Sequence, residues 1–254
     1  MEQYLVARFA RLDRLTTRYA SRIRVALLRD LEPVVAAVEA GATAETAAAF
    51  VSSKALRAVL EELYLTVIQS EARLEHYRLI REQKATPAPL VTEWLRRAKN
   101  FIATESSKAI VAITTTTRKQ VRKVLGESVE AGSSIPNTAK SLREKIASFS
   151  RKRAVTIART ELLGSQNAGS LYGAQTTGLK LNKIWLATSD GRTRANHASA
   201  SGQSVDINAT FSVGGESCQF PADPALSAKE RVRCRCTIIY RPAVNRGTQL
   251  SVDF

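Results

Sequence analysis

The amino-acid sequence predicts an α+β protein: a long helical amino-terminal region followed by a small α+β carboxyl-terminal domain with a short antiparallel sheet. Three observations carry this expectation. From Met1 to about Glu130 the chain is rich in Ala, Leu, Arg and Glu and nearly free of glycine, and its apolar residues recur at three- and four-residue spacings, the mark of amphipathic helices. Beyond Gly178, short segments of alternating polarity separated by Gly, Ser and Asp take over, as in strands joined by tight turns. The last of them, Cys234-Arg-Cys-Thr-Ile-Ile-Tyr240, reads as a strand whose alternate residues share a face.

Taken in order, Leu5, Phe9, Leu12, Leu15 and Tyr19 form one helical stripe. Pro33, Gly41 and the segment Lys84-Ala-Thr-Pro87-Ala-Pro89 punctuate the region, because proline removes a helix donor and disfavours helix in the residue before it. Helices are therefore expected near 3–39, 44–83 and 91–127, as an antiparallel bundle or an extended arm. Residues 131–136 are expected to be a hinge, within a Gly126 to Pro136 stretch. Asn137 is placed to cap a helix from Thr138, and Ser150 a second one over 151–176. Gly178 closes the latter in a left-handed conformation. Strands follow at Lys183–Thr188, Ser204–Ile207 and Phe211–Val213, with a turn at Ser189-Asp-Gly-Arg192. The expected domains are 1–130 helical, 137–242 α+β, and 243–254 a tail.

The 254 residues carry 38 Lys and Arg against 23 Asp and Glu, a net charge of +15. Residues 1–160 hold 28 basic and 16 acidic side chains, a net +12, and residues 161–254 hold 10 and 7, a net +3. The excess suits a polyanionic neighbour such as nucleic acid, held through phosphates rather than base edges. Arg8, Arg11, Arg14, Arg18, Arg22 and Arg29 lie on neighbouring turns of the first helix, and Arg151-Lys152-Arg153 forms a compact cluster. The alternative is a solvated face, or arginines paired with acidic groups of a protein partner. Three cysteines, two of them one residue apart, imply no disulfide framework and a reducing compartment. No signal peptide is recognisable, and no segment reaches the ~18 apolar residues of a membrane span.

His197, Cys218, Cys234 and Cys236 together offer one nitrogen and three sulfurs, a set that zinc accepts. The competing account has the cysteines as small buried apolar groups, with no cofactor; a redox or disulfide role is the third. His197 is either a general acid or base oriented by Asp190, or a structural histidine locking the turn after Trp185 through Asp190, Arg192 or Arg194. No nucleophile converges with it in the sequence, so no catalytic residue is assigned. Arg159 and Glu161 stand two apart on a helix and cannot face each other. Arg159 and Asn167 are expected to bridge helix and sheet as satisfied buried polar groups.

The ordered set Ile157-Ala-Arg-Thr-Glu161, Asn167-Ala-Gly169, Trp185, Asp190-Gly-Arg-Thr-Arg194, His197, Gly202-Gln, Phe211, Pro221-Ala-Asp-Pro224 and Cys234-Arg-Cys236 resembles the Mu F-like minor head proteins of tailed bacteriophages, over about residues 137–240. The resemblance implies a virion protein of the head interior, near the portal and in few copies, acting in head morphogenesis. Its implied partners are the portal or major capsid protein and packaged double-stranded DNA, contacted non-specifically during packaging or ejection, with no membrane involved. Before assembly it implies residence in the host cytoplasm. Relatives show a Cys-x-x-Cys where this chain has Arg194-Ala-Asn-His197, and a histidine where it has Arg231, so a complete inherited zinc set is not expected. Only 18 residues follow Cys236, too few for an appended enzyme domain. The alternative function is a phage DNA-associated enzyme or effector acting through His197, with or without zinc.

Overall fold

The computed structural model describes residues 2–86 and 91–243. Pro87 and Pro89, and residues 244–254 of the expected tail, lie outside the described residues. The fold class is the expected α+β: long helices precede a small antiparallel sheet. The chain divides into two compact units, residues 1–67 with 98–163, and residues 68–97 with 164–254. Helices α4 (Lys54–Glu82) and α7 (Ile135–Gln175) contribute to both. The division is therefore not the one expected at residues 131–136.

In the first unit the single helix expected over 3–39 is two, α1 (Glu2–Arg29) and α2 (Glu32–Glu39). Asp30 lies between them, and its carboxylate accepts from the amides of Ala55 (2.9 Å) and Leu56 (2.8 Å), capping α4 from a distant part of the chain. Pro33 sits in the first turn of α2, where a missing amide costs nothing. The short α3 (Ala44–Ala49) starts from Thr43, whose hydroxyl accepts from the Thr46 amide.

Further along, α5 (Val91–Phe101) runs through a π-helical turn, Ile102–Ser106, into α6 (Ser107–Glu130). Only a tight turn separates α6 from α7, with Gly132 at φ +60° and the Ser134 hydroxyl, not Asn137, accepting at the helix start. Nor does Ser150 begin a new helix. It is fully buried, its hydroxyl donates to the Ala147 carbonyl, and α7 continues unbroken for 41 residues. An apolar cluster fills this unit: Leu31, Val34, Val35 and Val38 meet Val51, Val121, Leu125, Leu142 and Ile146.

The second unit is built around a three-stranded antiparallel sheet in the order β2 (Ser204–Asp206), β1 (Leu181–Leu186), β5 (Thr237–Pro242). In β1 the residues Leu181, Lys183 and Trp185 are buried in alternation. A hairpin of β3 (Phe211–Val213) and β4 (Glu216–Cys218) turns through Gly214 and Gly215. Two short helices, α8 (Ala195–Ala200) and α9 (Ala228–Arg231), complete it.

Within this unit α4 and α7 cross on small residues. A Cβ on Gly169 would lie 2.6 Å from the Ile68 carbonyl oxygen, and one on Gly173 would lie 2.2 Å from that of Ala72, so only glycine lets these backbones approach. Among the described residues no helix is long and apolar enough to cross a membrane.

Candidate functional site

Cys234 and Cys236 do not lie on the strand the sequence predicts. Strand β5 begins at Thr237, and the pair occupies the loop that leaves α9, after Arg233 at φ +60°. Loop geometry nevertheless buries both sulfurs, and Arg235 points away between them, where it forms a bidentate ion pair with Asp190. That pairing holds the Asp190 carboxyl far below the usual carboxylate range, with the Arg192 amide adding a hydrogen bond.

His197 comes from α8 and faces this loop. Its Nδ1 stands 3.2 Å from Cys236 Sγ and 3.6 Å from Cys234 Sγ, and its Nε2 stands 3.2 Å from Glu230 Oε2. All four side chains are 2% exposed or less. The imidazole packs edge-to-face on Trp185, which packs in the same way on Phe211. Backbone bonds between Trp185 and residues 202 and 203 fix the strand to the loop that leaves α8. His197 therefore does not lock the Asp190 turn, as the sequence suggested. Its partners are two cysteines and a buried glutamate.

The two thiols share their protons unequally. Cys236 is pulled below the ordinary thiol range, first by the hydrogen bond from Cys234 and then by His197 and the Trp185 indole; Cys234 is raised correspondingly. His197, Cys234 and Cys236 place one nitrogen and two sulfurs within 4.8 Å of one another, a donor set suited to a soft or borderline divalent metal.

Cys218 is not among them. It sits on β4 opposite Phe211, where burial pushes its thiol up to about 12, so the four-ligand set with Cys218 is corrected to three residues.

Two polar groups that sequence reasoning missed lie nearby in this unit. Glu230 is fully buried, and its Oε1 accepts from Asn196 at 2.9 Å. Lys183 is also fully buried; its ammonium donates to the Gln219 carbonyl (2.9 Å) and side chain (2.7 Å) and lies over the Phe211 ring. Desolvation lowers it to about 8. A period-two pattern places Lys183 on the same face as Trp185, which is the one signal the sequence offers.

Asn167 is the expected bridge. Its amide nitrogen donates to the carbonyls of Pro221 (3.0 Å) and Cys236 (3.2 Å), and its oxygen accepts from Thr237 (3.0 Å). Arg159 is not; it pairs with Asp13 on α1 at 3.1 Å. Glu161 is buried and accepts from the Tyr64 hydroxyl at 2.8 Å. Arg194 donates to the Val232 carbonyl, and Arg192 lies 3.6 Å from Asp190.

The basic residues proposed for DNA divide. Arg8 is buried, Arg22 forms a bidentate pair with Glu62, and Arg153 donates to Thr117 and the Ile113 carbonyl in α6. Those three are corrected to structural roles. Arg14, Arg18, Arg29, Arg151 and Lys152 are exposed, and Arg11 is half-buried.

Residues 119–239 match the family model described as Phage Mu protein F like protein. The chain is 33% identical over 147 residues to YqbB, an uncharacterized protein of Bacillus subtilis (strain 168), covering 56% of this chain and 48% of that protein. It is 30% identical over 119 residues to Minor head protein GP7 of Bacillus phage SPP1, covering 46% of this chain and 38% of that protein. It is also 39% identical over 93 residues to NAD(+)–arginine ADP-ribosyltransferase EFV of Enterococcus faecalis, covering 35% of this chain and 19% of that protein. The chain thus spans less than half the length of each of these relatives. No solved structure gives a significant match. Over residues 119–239, the stretch that holds Asn167, Trp185, Asp190, His197, Cys234 and Cys236, the chain is similar to the Phage Mu protein F like family.

Proposed function

We propose that the protein is a minor head component of a tailed phage, acting in head assembly inside the capsid near the portal. The observation that carries this is the family match over residues 119–239, together with the similarity of the chain to a minor head protein. In this account the Mu F-like region docks on portal or capsid protein. Exposed Arg14, Arg18, Arg151 and Lys152 neutralise phosphates of packaged DNA without reading its sequence. The family is one of head proteins, and the likeness to an ADP-ribosyltransferase spans 19% of that enzyme. A non-enzymatic role is the simpler account, because His197 meets cysteines and a glutamate in a closed interior rather than a cleft.

The test is fractionation of heads from the phage or prophage that encodes the chain. Co-sedimentation with capsid and portal protein is the expected result; its absence from purified heads overturns the proposal. The DNA contact is tested separately by retention on double-stranded DNA over a salt series. Retention should weaken steeply with salt, and a charge-reversed Arg14→Glu, Arg18→Glu, Arg151→Glu, Lys152→Glu chain should elute earlier. Retention indifferent to salt contradicts phosphate neutralisation.

A further inference from the structure

The local geometry around His197 points to a divalent metal site of the zinc type, and we propose that His197 Nδ1, Cys234 Sγ and Cys236 Sγ are its ligands, with Glu230 as the outer carboxylate that orients the imidazole. This stands apart from the assignment to the phage head: it rests on distances and burial alone.

The spacing is the first argument. Zinc bonds of about 2.3 Å to sulfur and about 2.0–2.1 Å to nitrogen, opened to the tetrahedral angle, separate a nitrogen and a sulfur ligand by about 3.6 Å. Here Nδ1 lies 3.2 Å and 3.6 Å from the two sulfurs. Both separations thus lie within a few tenths of an ångström of the tetrahedral value, and all three donor atoms lie within 4.8 Å of one another. The Cys236 amide already donates to Cys234 Sγ at 3.4 Å, the kind of N–H to sulfur bond that supports a ligating thiolate.

The second argument is that three of the buried polar atoms that lack an aligned hydrogen bond belong to this cluster: His197 Nε2, Glu230 Oε2 and Trp185 Nε1. Buried groups of this kind are ordinarily satisfied. A metal on Nδ1 fixes the proton on Nε2, directly opposite Glu230 Oε2 at 3.2 Å, in the carboxylate–histidine–metal arrangement that raises ligand basicity. Asn196 holds the other Glu230 oxygen, so the carboxylate is itself positioned. The Trp185 indole, which helps to lower the Cys236 thiol, would gain an acceptor in the ligating thiolate. Each otherwise idle group thus acquires a task.

The third argument concerns charge. Two thiolates neutralise the dication, and binding releases the thiol protons they carried. Among the described residues no fourth His, Cys, Asp or Glu joins the cluster, which leaves one tetrahedral position for a small exogenous ligand. The ion would tie α8 to the segment 37 residues later and fix the loop between α9 and β5.

The experiment uses the full chain, free of affinity-tag histidines and purified without chelator. Elemental analysis should find about one zinc per chain. After exchange, Co2+ should give tetrahedral visible bands and a thiolate-to-cobalt charge-transfer band. Cys218→Ser should leave both unchanged, Cys236→Ser should lose the charge-transfer band, and Glu230→Gln should weaken Zn2+ affinity about 10- to 100-fold. Wild-type chain that is folded by circular dichroism, holds no zinc and gives no charge-transfer band with Co2+ overturns the proposal. Loss of both signals in a folded Cys218→Ser chain overturns it as well. Because wild-type stoichiometry and spectrum decide the matter, a Cys236→Ser chain that does not fold leaves the test intact.

Discussion

The apolar cluster from Leu31 to Ile146 and the interior of the second unit solve the same problem by different means. In the first, thirteen buried residues from α2, α3, α6, α7 and the adjoining turns are Val, Leu, Ile and Ala throughout, and stability comes from removing apolar surface from water. In the second, Lys183, His197, Glu230, Asn167 and His76 are buried in the same unit as Trp185, Phe211 and Tyr240. Such groups are tolerated only with partners in place. The lesson is about specificity: an apolar cluster accepts many residues of suitable volume, whereas a polar interior defines one arrangement and fails if a member is removed.

The largest effect that separates the two regions is expected from Gly173→Val. Its Cβ alone would meet the Ala72 carbonyl oxygen at 2.2 Å, a backbone atom that cannot rotate aside. The variant should yield little folded protein, measured as soluble yield and far-ultraviolet circular dichroism. Normal yield would mean that α4 and α7 do not cross at these glycines.

Leu142→Ala in the apolar cluster, where Leu142 is fully buried, should cost about 3 kcal/mol by cavity formation, read from urea denaturation. This change should leave the metal content of the chain untouched.

Asn167→Ala should cost about 2 kcal/mol, because it strands the carbonyls of Pro221 and Cys236 and the Thr237 hydroxyl. Unlike Leu142→Ala, it should also weaken metal retention, since the Cys236 backbone loses its anchor. Equal retention in the two variants would erase the distinction between the regions.

The smallest effect is pH-dependent. Burial lowers the His76 imidazole below its ordinary value, while an unfolded histidine titrates near about 6.5. The unfolded chain therefore takes up a proton that the folded chain resists, and stability falls as pH drops below about 6.5. His76→Phe should flatten the stability profile between pH 7.5 and 5.5. An unchanged slope would show that His76 does not contribute to it.

Legibility in the sequence followed the same divide. Helical periodicity located the carboxyl end of α4 to within a residue, but the one helix expected over 44–83 is two, α3 and α4; the change after Gly178 located the sheet. Periodicity could not show that Asp30 would leave the helix to cap α4, nor that Ser150 would spend its hydroxyl inside α7. Both residue types cap helices well, and which end each one meets depends on packing. In the site, Asn167 was found in its role because a lone amide on an apolar helix face requires partners. Cys218 was misplaced for the opposite reason: residue type suggests a ligand, but the hairpin seats it opposite Phe211 instead.

What the sequence determined by itself is the α+β class, the helical stripes, the basic excess and the Mu F-like pattern over the second half of the chain. These depend on the order of residue types along short windows, where helix and strand periods act. Only tertiary structure decided that the two units divide within α4 and α7, that Arg8, Arg22 and Arg153 serve the interior or an ion pair, and that His197 meets Cys234, Cys236 and Glu230. Those outcomes depend on which residues distant in sequence reach hydrogen-bonding distance, and a one-dimensional pattern holds no distances of that kind.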